Sequence, residues 1–589
     1  SAPRGASPVA EIDDAWSPES PARVTLSIDE FRRRVAEHNE EIQIQLIGAI
    51  IANKNYRAAR GAFEPEFVSD YEHIDSRRPN TAEEQASQLG LDVFSERNNR
   101  FTNGIEGLLP TNGRMRLGFN AFNLRNNLQT LNPDRESPEY SLFFGANITQ
   151  PLLRDAGVNA AMAAIRLAAR ESEIAFQDYR RELMTTLATA ESSYWNVFAS
   201  QQAHRYAAES VELAQSILAD TGEAFKAGKA SEAAVLAARV GVLEREAVFS
   251  NSRQLLHETV NTLLGYYSAH PLESEAEMPI TSPPPRPGAS VAKIDRDAVY
   301  NEAFDSNPDF LRRRKQLEIE NIRVAYARNQ KRPKLDLKGS YGLNGLGNRF
   351  STSLNDIEGA QFPSWSVGVE LRIPLGGNIA GANQLKAAQA RKVQALLGLK
   401  QLEVELDIAL DNAARQIETT LDAFRANRAT VSLNERLLQD EREKLTAGRS
   451  SIRLVLEVEE DLSASRITVL QDLVRYEAAN LQLELVIGSI LADRGWEVSL
   501  ERVNRDTAEI ISASSSLTAL EEKYQESGTA GSGDSRGSFL STLFSRDKRS
   551  ASSEPPAPTD TVRQGDPPGK NLFRPRSTTA RGIQGRRTR

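Results

Sequence analysis

The sequence predicts a mainly α-helical protein with transmembrane β-structure, built twice from one unit: a helix, a β-hairpin and a long helical hairpin. Three observations predict it. The anchors of one half recur in the other: Asn39 and Pro65 as Asn307 and Pro333 at an offset of 268, Pro151 and Gly265 as Pro374 and Gly488 at 223, and Ala227-Gly228-Lys229 as Ala447-Gly448-Arg449 at 220. A long-period duplication of this kind marks a structure assembled from repeated parts. After each proline the hydrophobic period switches from helical to two. And the stretches from Pro151 to Ala227 and from Pro374 to Ala447, 76 and 73 positions apart, keep a helical pattern, so each reaches roughly 110 Å if wholly helical.

In chain order, residues 1–23 are Pro/Ser/Ala-rich and form a flexible N-terminal segment. The first structural repeat covers 24–265. Its helix starts after Ser27, a capping residue with Glu30 three positions on, and runs to about Ala62 before Pro65. Its β-segment is 66–150. There Tyr140, Leu142, Phe144, Ala146 and Ile148 alternate with Ser141, Gly145, Asn147 and Thr149, Phe143 breaks the pattern, and residues 66–74 alternate less cleanly. From Pro65 to Pro151 is 86 positions against 41 from Pro333 to Pro374, so the first copy carries 45 extra residues. Another alternating stretch, Met115 to Ala121, lies within them and predicts an added hairpin or an elaborated loop. A helical hairpin with its tip at 227–231 closes the copy.

Residues 266–293 link the copies and include Thr-Ser-Pro-Pro-Pro-Arg-Pro-Gly-Ala at 281–289. The second structural repeat covers 294–488, with a helix that starts near Asp295 and bends at Asn307-Pro308, a β-segment at 334–373 and a tip at 447–451. Its strands alternate best. Trp365, Val367, Val369, Leu371 and Ile373 share one face, opposite Ser366, Gly368, Glu370 and Arg372. Leu335, Leu337, Tyr341 and Leu343 lie opposite Asp336, Lys338 and Ser340. Such strands suit a soluble sheet on a core or a barrel with lipid outside and water inside. The flanking long helices leave no segment to cover the sheet, which favours the barrel. At both tips glycine accepts the left-handed conformation that ends a helix, and Ser231 and either Ser450 or Ser451 cap the returning helices. Leu410, Ile417, Phe424, Val431, Leu438 and Leu445 repeat every seven residues, and shifted by 220 they become Ala190, Val197, His204, Val211, Leu218 and Phe225. Sustained heptads mean helices supercoiling on partners. Residues 489–527 follow the second repeat. Residues 528–589 form a disordered tail whose last stretch, Lys570 to Arg589, holds seven basic residues and no acid.

Composition narrows the chemistry. The 589 residues are 40 % hydrophobic, 6 % aromatic and 26 % charged, with a net charge of −8. This favours elongated helices over one large core and argues against a nucleic-acid partner. There is no cysteine, so thiolate metal sites, cysteine nucleophiles, disulfides and a lipidated N-terminal cysteine are excluded. The start at Ser1 without Met predicts a processed or trimmed N-terminus. The five histidines show no metal-ligand spacing, and His204 on the heptad stripe reads as a packed helical residue. Gly345-Leu346-Gly347 lies between two strands with no helix to receive a phosphate. Glu459-Glu460-Asp461 reads as an exposed helical face. No catalytic, cofactor-binding or metal site is expected. No stretch is long and apolar enough for a transmembrane helix, which says nothing of strands.

Both helix–Pro–strand junctions, the strand ends Thr149-Gln150-Pro151-Leu152-Leu153 and Arg372-Ile373-Pro374-Leu375, the Tyr194-Trp195 pair, the tips Phe225-Lys-Ala-Gly228 and Leu445-Thr-Ala-Gly448, and the Leu-Leu-Gly265 ending together resemble the TolC-type outer-membrane efflux and secretion channels. The resemblance covers about residues 24–495. It implies a homotrimer in which each chain gives four strands to one 12-stranded outer-membrane β-barrel, continuous with a trimeric α-barrel of long helices through the periplasm. It also implies an equatorial region at 266–293 and 489–527. It implies a passive conduit of a tripartite efflux pump or type I secretion system, with no enzyme activity and no cofactor. The partners would be outer-membrane lipid, a periplasmic adaptor (membrane fusion protein) and an inner-membrane RND, ABC or MFS pump. The adaptor would touch Ala227, Gly228, Lys229, Ala230 and Ser231 and Ala447, Gly448, Arg449, Ser450 and Ser451. Trp365, Val367, Val369, Leu371 and Ile373 would face lipid. The family's acidic ring before the second tip is not matched: Val431 and Asn434 stand there. The nearby acids Asp422, Glu435, Asp440 and Glu441 are the candidates for a pore constriction, and each also reads as plain surface charge. The competing reading is a soluble periplasmic helical-hairpin adaptor or structural protein, which would need no detergent.

Overall fold

In the computed structural model, which describes residues 22–88, 90–129, 138–267, 277–281, 296–496 and 498–499, each copy begins with two helices broken at an asparagine. In the first copy these are α1 (Ile28–His38) and α2 (Glu40–Arg60). The sequence predicted one continuous helix there, and Asn39 corrects it. Its backbone is extended (φ −69°, ψ 122°) and its side chain accepts from Ile42 N to cap α2. In the second copy Asn307 does the same between α7 (Arg296–Ser306) and α8 (Pro308–Gln330), accepting from Phe310 N at 3.0 Å. Each asparagine also donates from its amide to the far end of its own copy: Asn39 to Tyr266 O at 3.1 Å and Asn307 to Val486 O at 2.8 Å. One side chain thus caps a helix and ties it to a carbonyl that needs a partner, which aspartate could not do. The predicted N-terminal segment up to residue 21, the tail 528–589 and most of both equatorial stretches lie outside the described residues. Of the equatorial parts, β1 (Ala22–Leu26) and β6 (Glu277–Thr281) pair in parallel, and a short α12 (Ile490–Asp493) follows the second copy.

Six strands form the main sheet: β2 (Glu66–Pro79), β3 (Val93–Leu108), β4 (Arg114–Leu124), β5 (Glu139–Pro151), β7 (Lys334–Gly347) and β8 (Phe362–Arg372). They pair in that order, every pair antiparallel. The resemblance implied four strands per chain. The extra length of the first copy supplies the other two as the hairpin β3–β4. At one end of the sheet β3 and β4 are joined by a short turn in which Leu109 N donates to Gly113 O at 2.7 Å. At the opposite end the connections are longer. One carries α3 (Ala82–Ser87), started by a Thr81/Glu84 capping box, and another carries α9 (Phe350–Glu358). The sequence predicted no helix after Gly345-Leu346-Gly347. In fact α9 folds back onto β7 so closely that a Cβ at Gly345 would lie 2.9 Å from the Ser353 carbonyl carbon.

The helical hairpins are α5 (Ala163–Lys226) with α6 (Glu232–Leu264), and α10 (Ile379–Thr446) with α11 (Ile452–Ile487). At 64 and 68 residues, α5 and α10 reach about 95–100 Å. They start later than the prolines suggested. A loop and a single turn, α4 (Val158–Ala161), precede α5, and α10 waits for Asn378, whose side chain caps Gly381 N. The heptad stripe packs inward over most of its length. Leu410, Ile417 and Phe424 are buried, as are Ala190, Val197 and Val211, while Phe225 at the first tip is exposed. Near the tips Ala214 and Ile217 of α5, Val242 of α6, and Val455 and Leu456 of α11 form one apolar cluster, with Leu438 and Leu445 of α10 against it. At the equator Tyr194 is fully buried, donates to Leu26 O at 2.7 Å and packs on Phe31 and Trp195.

Candidate functional site

The sheet has one apolar and one polar face, and at the level of one rung register carries both across all six strands, while the outer halves of β2 and β3 are polar on the apolar side too, where Arg97 pairs with Asp75 at 3.0 Å. One rung runs Phe67, Ile105, Leu117, Ala146, Tyr341, Trp365 through five successive pairings. Its neighbours on the same face include Tyr71, Phe144, Val367, Val369 and Leu371, and these residues are open to the surroundings: Phe67 is 71 % exposed, Trp365 74 % and Val369 65 %. Ile373, just past the end of β8, is exposed as well. At the rim away from the long helices, α9 covers Leu142 and Ala121 through Ile357 and Leu354. An exposed apolar band of this extent has no place in water.

The opposite face is polar and paired across strands. Arg100 reaches Glu72 at 3.2 Å, Arg116 reaches Glu106 at 3.3 Å and Lys338 reaches Glu370 at 2.5 Å. A second rung on this face runs Gly104, Gly118, Gly145, Gly342. Phe143, which broke the alternation in the sequence, lies over the last two. A Cβ at Gly145 would fall 2.6 Å from the tip of its ring. An aromatic ring laid across bare glycines explains an apolar residue on the polar face. Glycines in one row across neighbouring strands relieve crowding on the inside of a bend, so the polar face is the concave one.

At the inner end of the sheet the strands lock to the helices. Asn329, at the end of α8, accepts from Asp155 N at 2.7 Å and donates to Ala156 O at 3.2 Å. Gln330 donates to the Asp155 carboxylate.

Both tips turn alike. Gly228 (φ +74°) and Gly448 (φ +70°) are left-handed, with Lys229 N donating to Ala224 O and Arg449 N to Lys444 O, each at 2.8 Å. Ser231 caps Ala234 N, and it is Ser451, not Ser450, that caps Leu454 N. Ala227, Gly228 and Lys229, like Ala447, Gly448 and Arg449, are exposed, and Ala230 and Ser450 partly so. A Cβ at either glycine would meet nothing within 4 Å.

The four candidate acids of α10 sit differently from one another. Asp422 is exposed beside Arg425, Asp440 is exposed, and Glu435 is held by Arg466 of α11 at 2.9 Å. Glu441 is buried at the second tip, where it accepts from Lys444 Nζ at 2.6 Å and Ser450 Oγ at 2.7 Å. Those bonds, that from Lys444 first, hold its carboxyl below the usual range. Asn434, in place of the family's acid, donates to Ser465 Oγ at 3.2 Å.

Glu459 is not on an exposed face. Only Glu460 and Asp461 of that run are exposed. Glu459 is buried and pairs with buried Arg245 of α6, at 2.7 Å from Nε and 2.6 Å from Nη2, while Nη2 also donates to Leu456 O. An acid in the same helical stripe as Val455 and Leu462 was the available signal, because a charge on an apolar stripe needs a partner. His204 is half-buried, stacked on Phe249 and 2.9 Å from Ser252 Oγ. Burial, then Arg253 and His257, lowers its pKa. No group of three or more metal-ligating side chains occurs among the described residues.

An exposed apolar sheet face mounted on helical hairpins about 100 Å long defines the fold class as that of the outer-membrane channels, and solved structures agree. The chain is similar to the CmeC outer membrane channel of Campylobacter jejuni (TM-score 0.58, 13 % identity, 81 % of this chain and 88 % of that one). It is also similar to a membrane protein of Pseudomonas aeruginosa (0.57, 16 %, 85 % and 98 %) and to the outer membrane protein VceC of Vibrio cholerae (0.53, 13 %, 78 % and 96 %). Residues 299–489, which span most of the second copy, match the family model described as outer membrane efflux protein. No curated protein is a significant match.

Proposed function

We propose that the chain is a passive outer-membrane channel, a conduit from periplasm to exterior in a tripartite efflux or type I secretion assembly. The observation that carries this reading is the sheet: an exposed apolar band on the convex face that runs from edge to edge along the Phe67–Trp365 rung, and a charged concave face behind it. In a closed barrel the first meets hydrocarbon and the second water. A soluble adaptor has no use for such a face. The open edges β2 and β8 run antiparallel to one another in a meander with an even number of strands, so three copies close with no edge left. The long helices then extend the conduit into the periplasm. The exposed tips at 227–231 and 447–451 are the adaptor's docking points, and an RND, ABC or MFS pump supplies the energy. Asp422 and Asp440, free of buried contacts, are the acids best placed to line a constriction between copies. Planar-bilayer recording on detergent-purified protein, with mass determination on the same sample, tests the reading. Discrete conductance from a trimer is expected. A water-soluble monomer without conductance would refute it in favour of an adaptor.

A further inference from the structure

We infer that the added hairpin β3–β4 is part of the membrane wall, so that a trimer of this chain closes an eighteen-stranded barrel with a correspondingly wide exit. The inference rests on the channel reading above and goes beyond it, because the family resemblance implies twelve strands. The hairpin is not an excursion from the sheet. It lies between β2 and β5, which have no pairing with one another, and hydrogen-bonds to both. Around the rung its outward residues continue the apolar band, with Ile105 paired to Phe67 on one side, Leu117 to Ala146 on the other, and Ile105 and Leu117 49 % and 43 % exposed, whereas Asn103, Asn99 and Arg97 of β3 make its outward face polar toward the far rim. Its inward residues continue the polar face, and Gly104 and Gly118 supply two of the four glycines in the row that bends the sheet. A hairpin lying in water or plugging the lumen would need neither the apolar face nor the glycines. Eleven residues in β4 and sixteen in β3 suffice for the roughly 9–11 that a tilted strand needs to cross a bilayer. The occupant of the apolar face is therefore bilayer hydrocarbon, continuous from β8 round to β2.

Width follows from geometry. With strands about 4.8 Å apart and tilted about 40°, eighteen strands enclose a backbone cylinder about 36 Å across, against about 24 Å for twelve. The outer exit is then not the size-limiting part of the conduit, and selection falls to the helical end.

The chain has no cysteine, so single cysteines report cleanly. Leu117→Cys, Val369→Cys and Asn120→Cys, reconstituted in vesicles, are reacted with a charged maleimide. A second sample carries bimane in vesicles of acyl-brominated lipid. The expected result is labelling of Leu117→Cys and Val369→Cys at least ten-fold slower than of Asn120→Cys, with bimane quenched at both. Fast labelling of Leu117→Cys with Val369→Cys protected overturns the inference and leaves the channel standing. Fast labelling of both overturns the channel reading and this inference with it. In single-channel recordings, polymers about 20 Å across added from the outer side enter and lower the conductance if the cylinder has eighteen strands. Their exclusion overturns the strand count.

Discussion

Replacing Glu459 with Gln should loosen the two hairpins from one another more than any other single polar change of equal size. Arg245 and Glu459 lie 214 positions apart and join α6 to α11. Their side chains are 8 % and 7 % exposed, so little solvent would screen the charge left behind. Gln keeps the shape and one acceptor oxygen, and Leu456 O and Gly241 O still receive two of the guanidinium's bonds. What is lost is the countercharge. Removing one member of a buried pair costs about 3–5 kcal/mol, and the surviving hydrogen bonds place this case near 3. The pair touches Leu456 of the apolar cluster that also holds Val242 and Val455, so Arg245→Met with Glu459→Met should recover most of the loss, since apolar replacement of a whole buried pair is often neutral or better. Denaturant unfolding of the detergent-solubilised protein measures both variants, and proteolysis at the tips reports local opening. If E459Q lies within about 1 kcal/mol of the parent, or the double variant is as unstable as the single, the pair is not the clamp described.

Other changes test other parts. Gly228→Lys and Gly448→Lys place a side chain where nothing lies within 4 Å; the left-handed backbone costs about 1–2 kcal/mol locally, so trimers should persist while export is lost, and normal export would refute the tip assignment. Val369→Lys should block membrane assembly at a cost of about 2–4 kcal/mol, whereas Ser366→Lys, on the polar face beside Ser340, should assemble; equal effects in heat-modifiability gels would refute the assignment of faces. Glu477 has its pKa pushed up to about 7 by burial and then by Glu484 and Glu191. A raised folded-state pKa means stability is full below the ordinary 4.5 and lost as pH rises through about 7. Glu477→Gln should remove that slope and gain about 1–2 kcal/mol at pH 8, after allowance for partial exposure; parallel stability–pH curves for parent and variant would show that Glu477 is not responsible.

What could be read from the sequence was whatever a local rule enforces. The tips were legible because only a left-handed residue ends such helices, and β8 because Trp365 to Ile373 alternates without fault. Strand β3 was not. Its stretch Glu96-Arg97-Asn98-Asn99-Arg100 is polar on both faces, and it becomes a strand because β2 and β4 offer backbone partners on either side. The Asn39 break was hidden because asparagine is tolerable inside a helix, and only the distant Tyr266 carbonyl makes the break preferable. Glu459 was misread for a similar reason. Three acids in a row look solvated, and its partner is invisible to any short window.

These failures also show where the duplication stops being a symmetry. Asn39 and Asn307 make equivalent caps and each reaches the end of its copy, though at carbonyls three positions apart in register, and the two tips turn alike. The charge pair does not repeat. At the 220 offset Arg245 corresponds to Ser465 and Glu459 to Arg239, a serine and a cation that cannot form it. Ser465 instead accepts from Asn434 of the neighbouring α10. The charge pair therefore has no counterpart at the duplicated positions, and β3–β4 is likewise present in one copy only. A wall built from two copies of a unit has two kinds of seam, and this chain has placed its buried charge on the seam between its own hairpins.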